Sequence, residues 1–140
     1  MNRLFKLLMV LMLALLNGCA HTHMVHNVTD KSVYNVTVYS GERSFGHGIL
    51  ISKSDKAYCG DIKFRKSDPP EVEWTTSAGE TKREKVFLEK NPGTFYQTHF
   101  VISDKGVTAY LLPEEHTADE WFDFLVKIGE CNPKSSFEAK

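Results

Sequence analysis

The central part of the chain alternates apolar and polar residues with the period of two that is typical of half-buried β-strands. In the run 33–39, for example, Tyr34, Val36 and Val38 are predicted to share one face of a strand. Further runs of this kind, separated by turn-forming residues, lie at 44–51, 58–64, 72–76, 81–88, 94–102 and 107–112. Short strands at this spacing predict a mainly β fold, an antiparallel β-sandwich of the immunoglobulin or transthyretin type.

After Pro113 the apolar spacing changes to that of an amphipathic helix. Thr117 followed three residues later by Glu120 is a capping box, which marks a helix start. The apolar stripe that follows consists of Trp121, Phe124, Leu125 and Ile128. Gly129 suits the C-terminal cap. We therefore expect one C-terminal helix packed on the sandwich.

The N-terminal segment is typical of a secretion signal with a lipid attachment site. Arg3 and Lys6 precede ten apolar residues at 7–16, a run too short to span a bilayer. The sequence Leu-Asn-Gly-Cys, ending at Cys19, then matches the bacterial lipobox. We expect cleavage before Cys19 and lipidation of its thiol with palmitate-like acyl chains. The alternative is an ordinary signal peptide with an accidental cysteine.

This interpretation divides the chain into four parts. They are a signal peptide at 1–18, a lipidated tether at 19–26, the sandwich with its helix at 27–132, and a flexible tail at 133–140. Ala20 stands where inner-membrane lipoproteins commonly carry aspartate, which favours the periplasmic face of the outer membrane.

Two cysteines, Cys59 and Cys131, remain after Cys19. Because the periplasm is oxidising, we expect them to form a disulfide. A loop of this length predicts a stabilisation of about 4 kcal/mol. The alternative is a pair of buried free thiols. The chain has no CxxC motif, so nothing suggests a thioredoxin-like site or a zinc ribbon.

Charge and motifs argue against several function classes. The net charge of −1 is unlike that of a basic nucleic-acid-binding protein. The sequence has no GxSxG elbow, HExxH motif or Walker loop, so we predict no enzyme activity, no cofactor and no small-molecule substrate. His21, His23 and His26 offer imidazole ligands that suit copper, but we interpret them as part of a polar tether and predict no metal.

The glycine-rich segment 41–48 is the most distinctive candidate contact surface. Its glycines permit backbone conformations that would let Arg43, Phe45 and His47 project towards a protein partner. The alternative is a bulged strand that buries Phe45 in the core.

Several of these features together resemble a family of small lipoproteins encoded beside antibacterial lipase effectors of the type VI secretion system. After the lipobox, the matching features are Ser-Val-Tyr-Asn-Val-Thr-Val at 32–38, Ser-Phe-Gly-His-Gly-Ile-Leu at 44–50, Gly60, two prolines and Val-Glu-Trp at 72–74. The resemblance covers about residues 15–110. It does not extend to the helix around Trp121 or to the Cys59 and Cys131 pair.

The resemblance implies an immunity protein, which binds an incoming phospholipase and has no catalytic residues of its own. Two alternatives belong to other classes. One is a structural or assembly lipoprotein that docks on an envelope complex, and the other is a metal-handling lipoprotein that uses the histidines of the tether.

Overall fold

The computed structural model describes residues 21–60 and 62–130, together with Arg3 and Lys6. Two four-stranded sheets pack face to face, and a helix covers the outer face of one of them. The elements are β1 (His21–Asn27), β2 (Val33–Ser40), β3 (Arg43–Leu50), β4 (Ser54–Gly60), β5 (Glu71–Thr75), β6 (Thr81–Lys85), β7 (Tyr96–Ser103), β8 (Gly106–Pro113) and α1 (Ala118–Lys127). The predicted β-sandwich with a C-terminal helix is confirmed.

The strand order is β4-β1-β7-β8 in the first sheet and β3-β2-β5-β6 in the second. Neighbouring strands in the described chain are antiparallel except for β1 and β7, which run parallel. The first strand therefore lies inside a sheet, hydrogen-bonded on both sides.

The position of β1 corrects the predicted tether at 19–26, which is wrong from His21 onwards. His23 and Val25 face the space between the sheets, whereas His26 lies beneath α1. All three side chains are fully buried. The segment resembled a tether because histidine counts as polar in a hydrophobicity pattern, even where the fold buries the ring and pairs one of its nitrogens with another histidine.

Two apolar clusters hold the layers together. The larger cluster lies between the sheets and contains Val36, Val38, Leu50, Val72, Trp74, Phe100 and Ile102 among others. The smaller cluster joins α1 to the first sheet through Val101, Leu112, Phe124 and Ile128. The apolar stripe predicted for the helix therefore faces the sheet, and Thr117 caps the helix by accepting a hydrogen bond from the Glu120 N–H.

A β-bulge in β2 changes one predicted strand face. Asn35 has a positive φ of 50°, and the register of β2 shifts between Val33 and Val36. Val33 is consequently buried and Tyr34 is exposed, so the prediction that Tyr34 shares a face with Val36 is wrong. Asn tolerates the left-handed region better than most residues, which explains its place in the bulge.

The fourth strand begins earlier than its alternation suggested. We predicted a strand at 58–64, whereas β4 spans Ser54–Gly60 and follows a turn in which Lys53 has a φ of 56°. Ile62 and Phe64 are buried without belonging to a strand. Within the part of the chain that the structure describes, no helix has the length and apolar character needed to cross a membrane.

Candidate functional site

The segment 41–48 forms a turn followed by β3, whose register on β2 shifts beside Gly48 (φ 68°), so it is the bulged strand of the alternative interpretation and not a projecting loop. Phe45 and His47 point into the sandwich and are buried, so they are corrected as partner-binding candidates. Arg43 is exposed at the start of the strand, with its guanidinium carbon 5.5 Å from the centre of the Phe45 ring. Of the three predicted contact residues, only Arg43 is placed where a partner can reach it.

His47 instead belongs to a histidine pair inside the core. Its Nε2 lies 2.8 Å from Nε2 of His23, so one ring donates a hydrogen bond and the other accepts it. Aromatic rings surround His23 at centroid distances between 5.3 and 5.9 Å, namely those of Phe45, Tyr58, Phe64 and Phe100. The pair joins β1 to β3 across the two sheets.

The core pair is electrically neutral near pH 7. Burial, together with the nearby His47, lowers the pKa of His23 to about 3. Burial also lowers the pKa of His47, helped by Lys56, whose ammonium group donates a hydrogen bond to the His47 carbonyl. Because these rings resist protonation, they act as uncharged core residues joined by one hydrogen bond.

A second histidine pair lies on the opposite face of the same sheet, beneath α1. His26 Nε2 is 2.9 Å from His99 Nδ1, and His99 Nε2 is 3.2 Å from the Gln97 side-chain oxygen. Trp121 and Phe124 of α1 cover both imidazoles, with centroid distances between 4.7 and 6.1 Å. The three polar side chains form a hydrogen-bonded chain with an apolar cover.

Two carboxylates meet the free end of this chain. Asp55 lies directly opposite His26 in the β1–β4 register, and its Oδ2 is 3.6 Å from His26 Nδ1. Glu130 Oε1 is 4.0 Å from the same nitrogen. One ligand atom from each of the three residues lies within 4.8 Å of the others. We call these three residues, His26, Asp55 and Glu130, the carboxylate–histidine cluster.

The C-terminal cap of α1 fixes the position of Glu130. Gly129 adopts a φ of 84°, its N–H donates to the Val126 carbonyl, and the Glu130 N–H donates to the Leu125 carbonyl. This is the Schellman motif, which turns the chain sharply at the end of a helix. The predicted glycine cap therefore also directs Glu130 back towards β1.

Burial shapes the electrostatics of the cluster. It lowers the pKa of His99 to about 3, with His26 and His116 contributing, and it lowers the pKa of His26 against the opposing effect of Asp55. Burial also raises the pKa of Glu130, and the neighbouring Asp55 adds to that rise. The cluster thus brings a neutral imidazole up to two carboxylates, of which Glu130 is mostly buried and Asp55 is exposed.

Sequence reasoning singled out His23 and His26 as possible ligands but placed them together on a flexible tether. In a strand, residues three apart point to opposite faces, so these two histidines belong to different pairs. Their partners His47 and His99 are 24 and 73 residues away in the chain. The alternation of His23 with Val25 was the one local signal of a strand.

The cysteine predictions lie largely outside the described residues. Cys19, Cys131 and the side chain of His21 are not described, and Cys59 lies on β4 with its side chain exposed. The lipidation of Cys19 and the Cys59–Cys131 disulfide therefore stay predictions. His116 stacks on Trp121 at 5.4 Å and pairs through Nδ1 with the Pro113 carbonyl.

One end of the sandwich exposes large aromatic side chains. Phe87 and Phe95, in the connection between β6 and β7, are 75% and 77% exposed. β7 runs parallel to β1 and begins beside its start, so this connection reaches the end of the molecule where β1 begins. Hydrogen bonds from Lys66 N–H to Asn91 and from Ser40 to the Lys63 carbonyl bring segment 62–70 and the start of β3 to the same end.

We call this region the His21 end. It comprises Arg43, segment 62–70 and segment 86–95. Besides the two phenylalanines it carries exposed basic side chains at Arg43, Lys63, Arg65, Lys66 and Lys90, which outnumber the exposed acidic ones at Asp68 and Glu89. Exposed aromatic groups among basic ones are typical of surfaces that bind a partner or a lipid headgroup layer.

Comparison with known proteins adds little to these observations. No protein-family model matches the chain, and no curated protein matches it. A solved NMR structure of a protein from Eubacterium rectale is similar with a TM-score of 0.48 and 17% identity, over 69% of this chain and 92% of that one. Nothing about function is carried over from a likeness at this level, and we infer function from the residues of the chain itself.

Proposed function

We propose that this chain is a periplasmic immunity lipoprotein, anchored in the outer membrane through Cys19, which binds and inhibits an antibacterial phospholipase effector of the type VI secretion system. The lipobox and the resemblance of residues 15–110 to such immunity proteins support the proposal. The structural observation that carries it is the His21 end, where exposed Phe87, Phe95 and Arg43 lie close to the proposed anchor.

The distance from the anchor to the domain is short. Two residue steps separate Cys19 from His21, and an extended chain covers at most about 7 Å in two steps. The His21 end is therefore held at the bilayer surface, which is where a phospholipase must work. Tethering raises the local concentration of inhibitor at that surface without any new contact.

The sandwich suits an inhibitor that binds without rearrangement. β1 is hydrogen-bonded to β4 and β7, so the strand that follows the anchor is also part of the core. A surface held by such a core loses little conformational entropy when it binds a partner. We therefore expect the aromatic and basic side chains of the His21 end to contact the lipase beside its membrane-facing surface.

The binding experiment uses the mature chain without lipid and the lipase encoded by the neighbouring gene. The two proteins should elute as one stoichiometric complex in size-exclusion chromatography. Arg43→Ala, Phe87→Ala and Phe95→Ala should each weaken binding about 30-fold where they remove a central contact. Ile51→Ala is the matched control, because Ile51 is also exposed but lies beyond the opposite end of β3.

The outcomes separate the function from the site. Failure of the two proteins to associate would contradict the immunity function. A complex that all three variants preserve would contradict only the contact surface. The Phe87 and Phe95 variants also separate two roles of the surface. If they lose binding to phospholipid vesicles but still inhibit the lipase on a soluble short-chain ester, then Phe87 and Phe95 contact the membrane and not the lipase.

The anchor itself is tested in cells. Cys19→Ala should abolish lipid labelling and move the protein out of the outer-membrane fraction, because the lipid on Cys19 is the membrane anchor that we propose. If the unchanged protein and the Cys19→Ala variant are both found in the soluble fraction, the proposed location is wrong.

A further inference from the structure

The hydrogen-bonded chain beneath α1 fixes which nitrogen of His26 is unprotonated. The Gln97 side-chain oxygen accepts a hydrogen bond, so the proton of His99 is on Nε2 and the lone pair is on Nδ1. His99 Nδ1 then accepts from His26 Nε2. A neutral His26 that donates from Nε2 has a bare lone pair on Nδ1.

That lone pair points at negative charge. His26 Nδ1 is fully buried and has no hydrogen-bond partner among the described residues, and the same holds for Glu130 Oε1. The distances of 3.6 Å to Asp55 and 4.0 Å to Glu130 are too long for a shared proton. Three electron-rich atoms that face one another repel unless a cation lies between them, and two of the three, His26 Nδ1 and Glu130 Oε1, are buried away from water.

The spacing matches a small tetrahedral ion. With metal–ligand bonds of about 2.0–2.1 Å, neighbouring ligand atoms of a tetrahedral site are about 3.3–3.4 Å apart. From the observed distances, His26 Nδ1 and Asp55 Oδ2 need to approach by about 0.3 Å, and His26 Nδ1 and Glu130 Oε1 by about 0.6–0.7 Å. The Asp55 side chain is 39% exposed and free to move inwards, whereas Glu130 is 13% exposed, so its approach requires a change of side-chain rotamer.

The ligand set also indicates the kind of ion. One imidazole and two carboxylates suit Zn²⁺, whereas Ca²⁺ and Mg²⁺ prefer all-oxygen sites and Cu(I) prefers sulfur. The hydrogen bond from His26 Nε2 to His99 is the outer-shell support that orients metal-bound histidines. We propose that His26, Asp55 and Glu130 bind one Zn²⁺ ion, with His99 and Gln97 orienting His26 and water as the fourth ligand.

The experiment titrates Zn²⁺ into the detergent-purified lipoprotein, after chelator treatment, in competition with a chromophoric chelator. We expect one ion per chain. Asp55→Asn and Glu130→Gln should each weaken binding at least tenfold, and Gln97→Leu about tenfold, since outer-shell changes typically cost 10- to 100-fold. Asp123→Asn, a change to an exposed carboxylate of α1 outside the cluster, should leave the affinity unchanged.

A second measurement reports on His26 without any substitution. Long-range ¹H–¹⁵N NMR of the imidazoles should show the Nε2–H form of His26, and Zn²⁺ should shift its Nδ1 signal. Absence of stoichiometric binding, or binding that Asp55→Asn and Glu130→Gln both leave intact, would overturn the proposal. So would an Nδ1–H form of His26 that does not respond to Zn²⁺.

Discussion

Histidine is the residue that gives this sandwich its unusual interior. Of the five histidines whose side chains the structure describes, four are buried, in two pairs on opposite faces of one sheet. Each pair joins parts of the chain that are distant in sequence and satisfies one nitrogen of each ring that would otherwise be costly to bury. The pairs thus take the place of apolar contacts, one between the two sheets and one between the first sheet and α1.

These histidines predict that the domain loses stability in mild acid. The pKa values of His23 and His99 are lowered to about 3, so the unfolded chain binds protons at pH values where the folded chain does not. Their contribution to the stability of the fold is complete above about pH 6.5, the pKa of histidine in the unfolded chain, and is lost as the pH falls below that value. Between pH 7.5 and 5.5 each should lower the free energy of unfolding by about 1 kcal/mol, and His26 and His47 add to the loss.

Urea unfolding at pH 7.5, 6.5 and 5.5 measures this effect. The charged neighbours of the pairs are Lys56, Asp55, Glu130 and His116. Glu130 opposes this loss of stability, because a carboxyl group with a raised pKa favours the folded state on acidification. Four buried histidines act against this one carboxyl group, so we expect a net loss. The pH dependence should be shallower in His99→Gln, and a free energy of unfolding that is constant from pH 7.5 to 5.5 would contradict the assignment.

Individual residues also show where prediction from the sequence alone fails. The bulge at Asn35 reverses the facing of Tyr34, because one extra residue moves side chains to the other face of a strand. Phe45 and His47 looked like display residues because glycines surround them, yet β3 buries both. A glycine-rich strand and a glycine-rich loop have the same local composition, and only pairing with β2 distinguishes them.

At the scale of elements, alternation and capping signals predicted most of the fold. β2, β3, β5 and β8 and helix α1 lie close to their predicted positions. β1 was missed because its burial depends on His47 and His99, contacts that a local pattern does not contain. The carboxylate–histidine cluster was missed for the same reason, since it joins β1, β4 and the residue after the helix cap.

Helix α1 should contribute to stability through one face only. Phe124 is 6% exposed and contacts the His26–His99 pair, whereas Phe122 is 42% exposed on the same helix. We expect Phe124→Ala to lower the free energy of unfolding by about 3–5 kcal/mol. Phe122→Ala should change it by about 0.5 kcal/mol or less. Chemical denaturation measures both, and equal effects would contradict the packing of α1 described above.

The predicted Cys59–Cys131 disulfide also belongs to this scale. It would join β4, which carries Asp55, to the residue that follows Glu130. Peptide mapping without reductant should recover the two cysteines linked. Reduction should lower the free energy of unfolding by about 4 kcal/mol.

The matched control for the disulfide is the Cys59→Ser and Cys131→Ser double variant. It should have the lower stability from the start and should not respond to reductant. Two free thiols in protein isolated from the periplasm would show that the pairing is wrong.

At the scale of the whole molecule, the lipid anchor that we propose at Cys19 would attach at the end that carries the exposed surface. β1 begins two residues after Cys19, and Arg43, Phe87 and Phe95 surround that end. A long tether would let the domain sample many orientations, whereas a lipid on Cys19, two residue steps before β1, would keep the His21 end close to the bilayer. We therefore predict that the inhibitor works at the membrane surface and that inhibition depends on the His21 end being presented to the lipase.

The most direct test of the central claim is inhibition of the phospholipase effector that the proposal pairs with this protein, measured as hydrolysis of phospholipid vesicles against increasing amounts of the inhibitor. The account predicts that hydrolysis falls linearly and stops near one inhibitor per enzyme, with the Phe87→Ala and Phe95→Ala variants needing a large excess. Hydrolysis that continues undiminished at excess inhibitor, with no complex formed between the two proteins, would contradict it.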